Sequence, residues 1–589
     1  MKSHIATVAT CPDSVLLVTS RRAHESSKSY LFTDPEYTFT LESLDDFHVL
    51  LEHLDSAPSK GLYAAGYVSY ECGYAVEPSL RPLAPDSETP LAWFGFYRSP
   101  LVFDYVPQPA NEFLPLKTQL GITKQEYFRK FDEIKQHIKA GNTYQVNFTT
   151  RLTFKNTVDP ASLFAHLMTV QPVEFGAFIN MNGMQIISAS PELFFRRQGE
   201  RIITRPMKGT APRGFTHDEQ QVNIDFLRND PKNRAENVMI VDLLRNDLRR
   251  ICRVNTVTVE ELFDVEVFPT VLQMVSTVSG VLRPSIRYSD IFSALFPCGS
   301  ITGAPKVRTM QIIRQIEDHP RGVYTGTIGF ISPDDEATFS VGIRTLTLTP
   351  SGSIGIGGGI VWDSDAQEEY DECLLKATFL NRPSFSLIET MLWDQKYHFL
   401  DEHLERLITS ADFFGFPCPD IRARLPLYFQ SPQRVRLLLA QDGTLSITHN
   451  EISLNNSPIA IMVSEHSTSP DVFLRHKTTR RKLYDSQFSS AQCSGYDDVI
   501  FVNSEGHVTE GAIHNIFVVK NGRWTTPPLS DGLLPGILRA HLDVSEKHIT
   551  LEDLISVDEV YLGNSVRGLR KVKQIDKLGK PIWRSRQVA

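Results

Sequence analysis

In the stretch AQEEYDECLLKA, residues 366–377, two carboxylates and an ammonium recur at helical spacing: Glu369, Glu372 and Lys376. On an α-helix these positions share one face, while Tyr370, Cys373, Leu374 and Ala377 form an apolar one. Paired acids beside a cation suit a hard divalent ion next to an anionic ligand. A solvated helix face with an ordinary salt bridge is the plain alternative. Just upstream, Gly357, Gly358 and Gly359 follow alternating isoleucines. Their backbone N–H groups could approach an anion closely, although a β-bulge or tight turn would use the same glycines. Glu236 in RAENVMIVDLLRND offers a third carboxylate, or simply a surface residue. Glu192 and Lys208 lie sixteen residues apart on two strand-like runs. If they converge, the acid can protonate a leaving hydroxyl while a desolvated amine attacks carbon. Spacing alone does not bring them together.

A second constellation occupies the last 200 or so residues. Arg406 sits in HLERLITSADFFGFP (403–417), Lys477 in LRHKTTRRKLYD (474–485) and Glu510 in DDVIFVNSEGHVTEGAIHNIFVV (497–519). An aldehyde cofactor needs a lysine for a Schiff base, a carboxylate to keep a pyridine nitrogen protonated, and a cation or N–H nest for phosphate. These three residues supply those types. A turn acid and an amphipathic surface helix would also account for them.

The elements that must position these groups are legible in outline. KQEYFRKFDEIKQHIKAG predicts a helix with Tyr127, Phe131, Ile134 and Ile138 on one side and a glycine stop. RAENVMIVDLLRNDLRR predicts another, with Val238, Val241, Leu244 and Leu248 as its buried stripe. Asn182-Gly183 and Gln198-Gly199 read as hairpin turns. After Pro383 the pattern restarts with a strand, the helix DEHLERLITSADFFG and further strands. Seams are expected at 80–90, at 107–121 and at Asn381-Arg382-Pro383. The 589 residues exceed one hydrophobic core. With 41% hydrophobic and 22% charged residues, disordered and fibrous classes are excluded. No apolar run approaches the roughly 18 residues of a membrane span, and the N-terminus is too short in apolar residues for a signal peptide. A net charge of -9 without a basic block disfavours nucleic acid. Seven scattered cysteines lack zinc spacing and read as reduced, mostly core thiols of a cytoplasmic enzyme.

The strings GNTYQVNFTTRL (141–152), SASPELFF (188–195), ITRPMKGTAPRG (203–214), RAENVMIVDLLRNDL (234–248), LFPCGSITGAPKVRTMQIIRQIE (295–317), RGVYTGTIGFIS (321–332), IRTL (343–346) and GGGIVWDSDAQEEYDECLLKA occur in one order. Over about residues 120–380 they resemble the chorismate-utilising enzymes, which include anthranilate, aminodeoxychorismate, isochorismate and salicylate synthases. The resemblance implies a large α/β sandwich and a Mg²⁺ bridging chorismate to enzyme carboxylates. Glu236 and Glu369 match the metal ligands, with Glu372 adjacent. Arg344, Tyr324, Lys376 and the backbone of Gly357–Gly359 match positions that grip chorismate, and Thr302 of SITGAP is a further substrate-side position. Glu192 matches the acid that assists loss of the C4 hydroxyl. Lys208 stands where anthranilate synthases carry Ala and aminodeoxychorismate synthases carry the lysine that attacks C2. Gln145 agrees with the ammonia-using branch. Two departures stand out: Gln273 replaces a frequent His, and an LLES-type string is lacking, so no tryptophan inhibition is expected.

FSLIETMLW (385–393), HLERL, HKTTRRKLYD, DDVIFVNSEGHVTEGAIHNIF, WTTPPLSDGLLPGILR (524–539) and YLGNSVRGL (561–569) resemble fold-type IV pyridoxal phosphate enzymes, and aminodeoxychorismate lyase among them. This implies Lys477 as Schiff-base lysine, Glu510 as pyridine-nitrogen acid and Arg406 as phosphate ligand. Leu538 replaces a frequent Thr, which leaves phosphate to the backbone of Gly536 and Ile537. Thr390 is a substrate-side hydroxyl and is grouped with Lys477 as catalytic. The chain is thus expected to be an α/β protein. A chorismate-binding α/β sandwich spans 1–381, with an N-terminal region over 1–120 and a core over 121–381. A linker follows at 382–386, and then a smaller pyridoxal phosphate α+β unit over 387–589 with trimmed loops. The pairing implies amination of chorismate followed by pyruvate elimination to 4-aminobenzoate, a folate precursor. An anthranilate synthase-like module fused to a class IV aminotransferase is the alternative. No GxCxG-type nucleophile accompanies any cysteine, so ammonia would come from solution or from a separate glutaminase subunit.

Overall fold

The computed structural model describes residues 2–21, 28–105, 116–268, 271–381, 384–469 and 471–585. Positions 107–115 of one expected seam, and Arg382 and Pro383 of the expected linker, lie outside the described residues. The chain forms two compact units: Met1–Arg213 with Val222–Ser384, and Gly214–Gln221 with Phe385–Ala589.

The first unit contains two antiparallel sheets, each of ten strands among the described residues. One runs through Gly303–Ala304, Gln145–Lys155, Ser351–Ile360, Thr345–Leu348, Met184–Ser190 and Phe175–Met181 towards Ser14–Val18. The other runs through Met207–Pro212, Val271–Val281, Arg201–Arg205, Leu193–Gln198, Glu336–Val341 and Thr327–Ile331 towards Tyr63–Val68. Val15, Phe32, Ile179 and Ile186 of the first meet Tyr67, Trp93, Ile328 and Phe330 of the second in one buried cluster. Alternate residues of each strand therefore fill a face-to-face core. Helices Phe47–Ser56, Pro231–Arg249 and Tyr288–Leu295 contribute to the cluster on the second sheet, and helix Pro160–Val170 to one on the first.

Helix starts follow local chemistry. Thr123, Asp159, Asp230 and Asp365 each accept backbone N–H groups at an N-terminus, and Pro160 and Pro231 take first-turn positions that lack an intrahelical partner anyway. Helix Lys124–Lys139 buries Tyr127, Phe131 and Ile134 as expected. Helix Pro231–Arg249 corrects the predicted stripe: Val238 is exposed, and Asn237 and Ile240 are buried with Val241, Leu244 and Leu248. Polar Asn237 can turn inward because Ser276 Oγ donates to its Oδ1 at 2.6 Å. Leu374 is likewise exposed, since helix Ala366–Ala377 buries only Cys373 fully. The glycine run forms neither a bulge nor a turn. Ser351–Ile360 pairs in unbroken register with Gln145–Lys155, placing Gly357, Gly358 and Gly359 opposite Thr149, Phe148 and Asn147.

The second unit joins a four-stranded sheet, carrying Leu387–Asp394 at its centre, to a nine-stranded mixed sheet. Helix Leu400–Phe414 packs on the first and ends at Gly415, whose φ of +73° is the left-handed cap glycine readily adopts. In the mixed sheet Ile459–Val463 runs parallel to both Asp498–Val502 and Gly568–Lys577. Val508–Gly511 returns antiparallel to Asp498–Val502 after a turn containing Gly506 at φ +87°. Among the described residues no helix is long and apolar enough to cross a membrane. The architecture is mixed α/β, with a large first unit followed by a smaller second one.

Candidate functional sites

A cavity of about 390 Å³ in the first unit gathers residues from distant parts of the sequence. Its walls include Glu192, Lys208, Glu236, Tyr324, Arg344, Gly357, Gly359, Glu369, Glu372 and Lys376. Gln273, which stands in place of His, lines it as well. Its amide donates to the Gly209 carbonyl at 3.0 Å and accepts from Thr210 at 3.3 Å.

Glu192 lies in the short link between strands Met184–Ser190 and Leu193–Gln198 and is buried. Burial pushes its carboxyl up to about 7, although Ser300 Oγ, donating at 2.6 Å, and the charge of Lys208 pull it back. Lys208, on strand Met207–Pro212, is displaced in the opposite sense. Burial lowers its ammonium pKa against the pull of Glu192 and Glu236. The two groups are thus biased towards the neutral acid and the neutral amine. Asn237 steadies this strand, its amide donating to the Lys208 carbonyl at 3.4 Å.

Close approach explains the glycines. A Cβ on Gly355 would lie 2.0 Å from the Tyr324 ring, and one on Gly357 2.3 Å from the Phe148 carbonyl oxygen. On Gly359 it would meet Gln145 Nε2 at 2.6 Å and Lys208 Nζ at 3.3 Å. Gly358 is not part of the cavity wall, but a Cβ there would come within 2.9 Å of Glu369 Oε2. Arg344 holds a φ of +51°, a left-handed conformation unusual for a side-chain-bearing residue and often retained at functional sites.

Lys376 and Glu372 do form the ordinary i,i+4 pair, at 2.8 Å, and both also face the cavity. Lys376 Nζ donates in addition to the Gly357 carbonyl at 3.0 Å. The Lys376 charge lowers the Glu372 carboxyl, whereas burial raises Glu236 and Glu369. Three hard oxygen donors, two of them carboxylates held short of a compensating charge, fit a divalent ion of the Mg²⁺ type. Their oxygens are not all within 4.8 Å of one another, so such an ion would share its sphere with substrate oxygens or water.

Thr302 is placed elsewhere. Its hydroxyl bonds the carbonyls of Cys298 at 3.1 Å and Gly299 at 3.2 Å, so Ser300 and Ile301 line the cavity instead. The sequence reading also missed Asn147 and Lys232 in the wall. Ser300 lies inside the quoted LFPCGSITGAP string, but nothing about an isolated serine marks it as the partner of a carboxyl 108 residues away.

In the second unit one cavity is lined by Arg406, Lys477, Glu510, Gly536 and Ile537 together with Tyr484 and Asn515. Lys477 lies outside regular structure, but its carbonyl accepts the Ile388 N–H at 2.7 Å, which ties it to strand Leu387–Asp394. Burial and the nearby Arg406 charge lower its ammonium to about 8. Burial raises Glu510 to about 8 despite the Leu534 N–H donating at 3.2 Å and Tyr484 at 3.3 Å. A cationic nitrogen beside that carboxyl would return it to the anion. Gly536 is required here, since a Cβ would sit 1.8 Å from Asn515 Oδ1. A lysine, an acid, a guanidinium and a glycine-permitted backbone on one cavity fit pyridoxal phosphate. Thr390 does not line this cavity.

Glu389, beside Thr390, is the unforeseen member. It is buried and accepts Arg406 Nε at 2.7 Å and a terminal guanidinium nitrogen at 2.8 Å. It also lies 2.6 Å from His403 Nδ1. Burial opposes its ionisation, but Arg406 and His403 hold it down at about 2. Arg406 Nη1 donates to the Pro535 carbonyl at 3.0 Å, so the guanidinium is held in a fixed orientation. Glu389→Gln is expected to weaken pyridoxal phosphate binding about tenfold, equivalent to roughly 1.4 kcal/mol. Absorbance titration of the apoprotein measures this, and an unchanged affinity would deny Glu389 that role.

Comparison with known proteins gives the same division. The family described as chorismate binding enzyme matches residues 104–382, and the amino-transferase class IV family matches 386–575. The chain is 41% identical over 279 residues to an anthranilate synthase component 1 of Haloarcula marismortui, covering 46% of this chain and 57% of that protein. It thus spans little more than half of that relative's length. It is 34% identical over 374 residues to aminodeoxychorismate synthase component 1 of Escherichia coli, covering 59% of this chain and 82% of that protein. The crystal structure of anthranilate synthase component I from Streptococcus pneumoniae superposes with a TM-score of 0.54 at 26% identity, covering 62% of this chain and 94% of that one. With the cavity, its carboxylates and its lysine in place, the chain belongs to the chorismate binding enzymes, and its residues 386–575 match the amino-transferase class IV family.

Proposed function

We propose that the first unit aminates chorismate at C4 with ammonia, giving 4-amino-4-deoxychorismate, and that the second removes pyruvate from this product to leave 4-aminobenzoate. The observation that carries the reading is Lys208, a half-buried amine of lowered pKa on the same cavity as the raised acid Glu192. An alanine there could not form a covalent adduct.

In this reading Lys208 Nζ attacks C2 as the C4–O bond breaks, and Glu192 delivers the proton with which the hydroxyl departs as water. Ammonia then adds at C4 and the lysine leaves C2, so chorismate and ammonia become product and water. Arg344, Lys376 and the backbone around Gly357–Gly359 hold the substrate carboxylates. Glu236, Glu369 and Glu372 would hold Mg²⁺, which would supply positive charge to the site. In the second unit Arg406 and the backbone of Gly536 and Ile537 would hold the cofactor phosphate, Glu510 would keep the proton on the pyridine nitrogen, and Lys477 would take the C4 proton of the substrate ring. Bound pyridoxal phosphate supplies an electron sink, and aromatisation drives loss of the enolpyruvyl ether. Ammonia comes from solution or from a separate glutaminase subunit.

The comparable identity to anthranilate synthase component 1 favours a second reading, in which the first unit makes anthranilate. Incubation of the protein with chorismate, Mg²⁺, ammonium and pyridoxal phosphate separates the two. 4-Aminobenzoate with an equivalent of pyruvate is expected, and anthranilate as the product would overturn the proposal.

A further inference from the structure

Away from both cavities, three side chains of the second unit converge on one point. His507 Nδ1 lies 3.3 Å and His548 Nδ1 2.7 Å from the same oxygen, Oδ1 of Asp531. The two imidazole rings stand 4.6 Å apart, centroid to centroid. Among the described residues this is the one group of three or more His, Cys, Asp or Glu side chains whose ligand atoms all lie within 4.8 Å. We propose that His507, Asp531 and His548 bind a zinc ion.

Four observations support this beyond composition. A tetrahedral ion with bonds of about 2.0 Å sets its donor atoms about 3.3 Å apart along each edge, so the spacing found needs only a small adjustment. Asp531 is 4% exposed, and its second oxygen, Oδ2, is buried without a hydrogen-bond partner. Crowding two imidazoles on one carboxylate oxygen while the other has no partner is a poor arrangement for a hydrogen-bonded cluster. A cation would neutralise that buried carboxylate. Glu505 Oε2, 3.8 Å from His507 Nδ1, is within reach as a fourth donor, or water can take that place.

The surroundings hold the donors in position. The Asn503 side chain accepts the N–H groups of Glu505 at 3.0 Å and His507 at 2.9 Å, and donates to the Asp531 carbonyl at 3.2 Å. The Val508 N–H donates to the Ile549 carbonyl at 2.7 Å, aligning the strand after His507 with the residue after His548. Two oxygen and two nitrogen donors of these types suit zinc better than magnesium or calcium, which prefer oxygen alone. The ion would fasten three segments. One continues through Val508 to Glu510, and another through Leu534 to Gly536, so both lead to the cofactor cavity.

The test uses untagged full-length protein, stripped with a chelator and titrated with Zn²⁺ against a competing dye. One equivalent is expected in the native chain and absent in His548→Ala. Outer-shell changes already weaken a metal site about 10–100-fold, so loss of a direct ligand should weaken it at least about 100-fold. His548 is largely exposed, so the variant should fold. If it does not, His507→Gln is read in the same way. Native protein loaded with Co²⁺ should show the visible band of a tetrahedral site, missing in the variant. Equal zinc uptake by native and variant chains, or none by either, would overturn the proposal and leave an Asp–His hydrogen-bond cluster.

Discussion

Lys477→Ala protein, given chorismate, Mg²⁺ and ammonium, is expected to accumulate 4-amino-4-deoxychorismate and to release no 4-aminobenzoate. Removing the covalent member of a concerted catalytic set costs up to about 10⁶-fold, and under the proposed reading it also removes the group that moves the ring proton. The yellow absorbance of bound cofactor should disappear with it. Lys477 takes no part in the wall of the first cavity, so consumption of chorismate should continue at its native rate. Chromatography of the mixture over time decides the outcome. Continued release of 4-aminobenzoate would remove Lys477 from the chemistry, and loss of chorismate consumption would point to general misfolding.

Glu192→Gln should abolish most of the first reaction instead. The amide keeps an oxygen to accept the Ser300 hydroxyl, so the cavity should keep its shape. It has no proton to give, and loss of a positioned general acid costs about 10²–10⁴-fold in kcat. The native enzyme should show the same dependence through pH. With its carboxyl raised to about 7, Glu192 is, under the proposed reading, the competent acid below that value and is lost as pH rises through it. Lys208, lowered from the usual lysine range, gains neutral amine as pH rises, so the two limbs make a bell-shaped kcat/KM profile. Glu192→Gln should lack the alkaline descent. A variant that kept both the rate and the descent would assign the acid to another group.

Much of both cavities was legible because the chemistry-bearing strings are contiguous. PMKGT carries Lys208, SPELFF carries Glu192, and the spacing of Glu369, Glu372 and Lys376 is set by one helix. Contacts made across the fold were not. Ser300 reaches Glu192 over 108 residues, and Glu389 pairs with Arg406 from a neighbouring strand in a string read for its threonine. Thr302 shows the opposite error: a hydroxyl in a functional string that the backbone of its own turn consumes. The stripe on Pro231–Arg249 was misjudged because Asn237 counts as polar in any periodic reading, while Ser276 makes it a buried anchor. The glycine run left bulge and anion contact open. Only the partner strand, with Phe148 and Gln145 pressed against it, shows why side chains are excluded there.

The cavity of the first unit carries four basic residues, Lys208, Lys232, Arg344 and Lys376, against four acids, Glu192, Glu236, Glu369 and Glu372. With Glu192 held near its own titration point, the walls sum to within about one charge of zero. Such a chamber has no net appetite for a dianion or for a divalent cation taken singly, because either would leave two charges unanswered in a partly desolvated space. Together they form a neutral guest. Under the proposed reading, magnesium and chorismate are therefore thermodynamically linked. Each raises the affinity for the other by one common factor, and the occupancy of the metal site follows the supply of substrate.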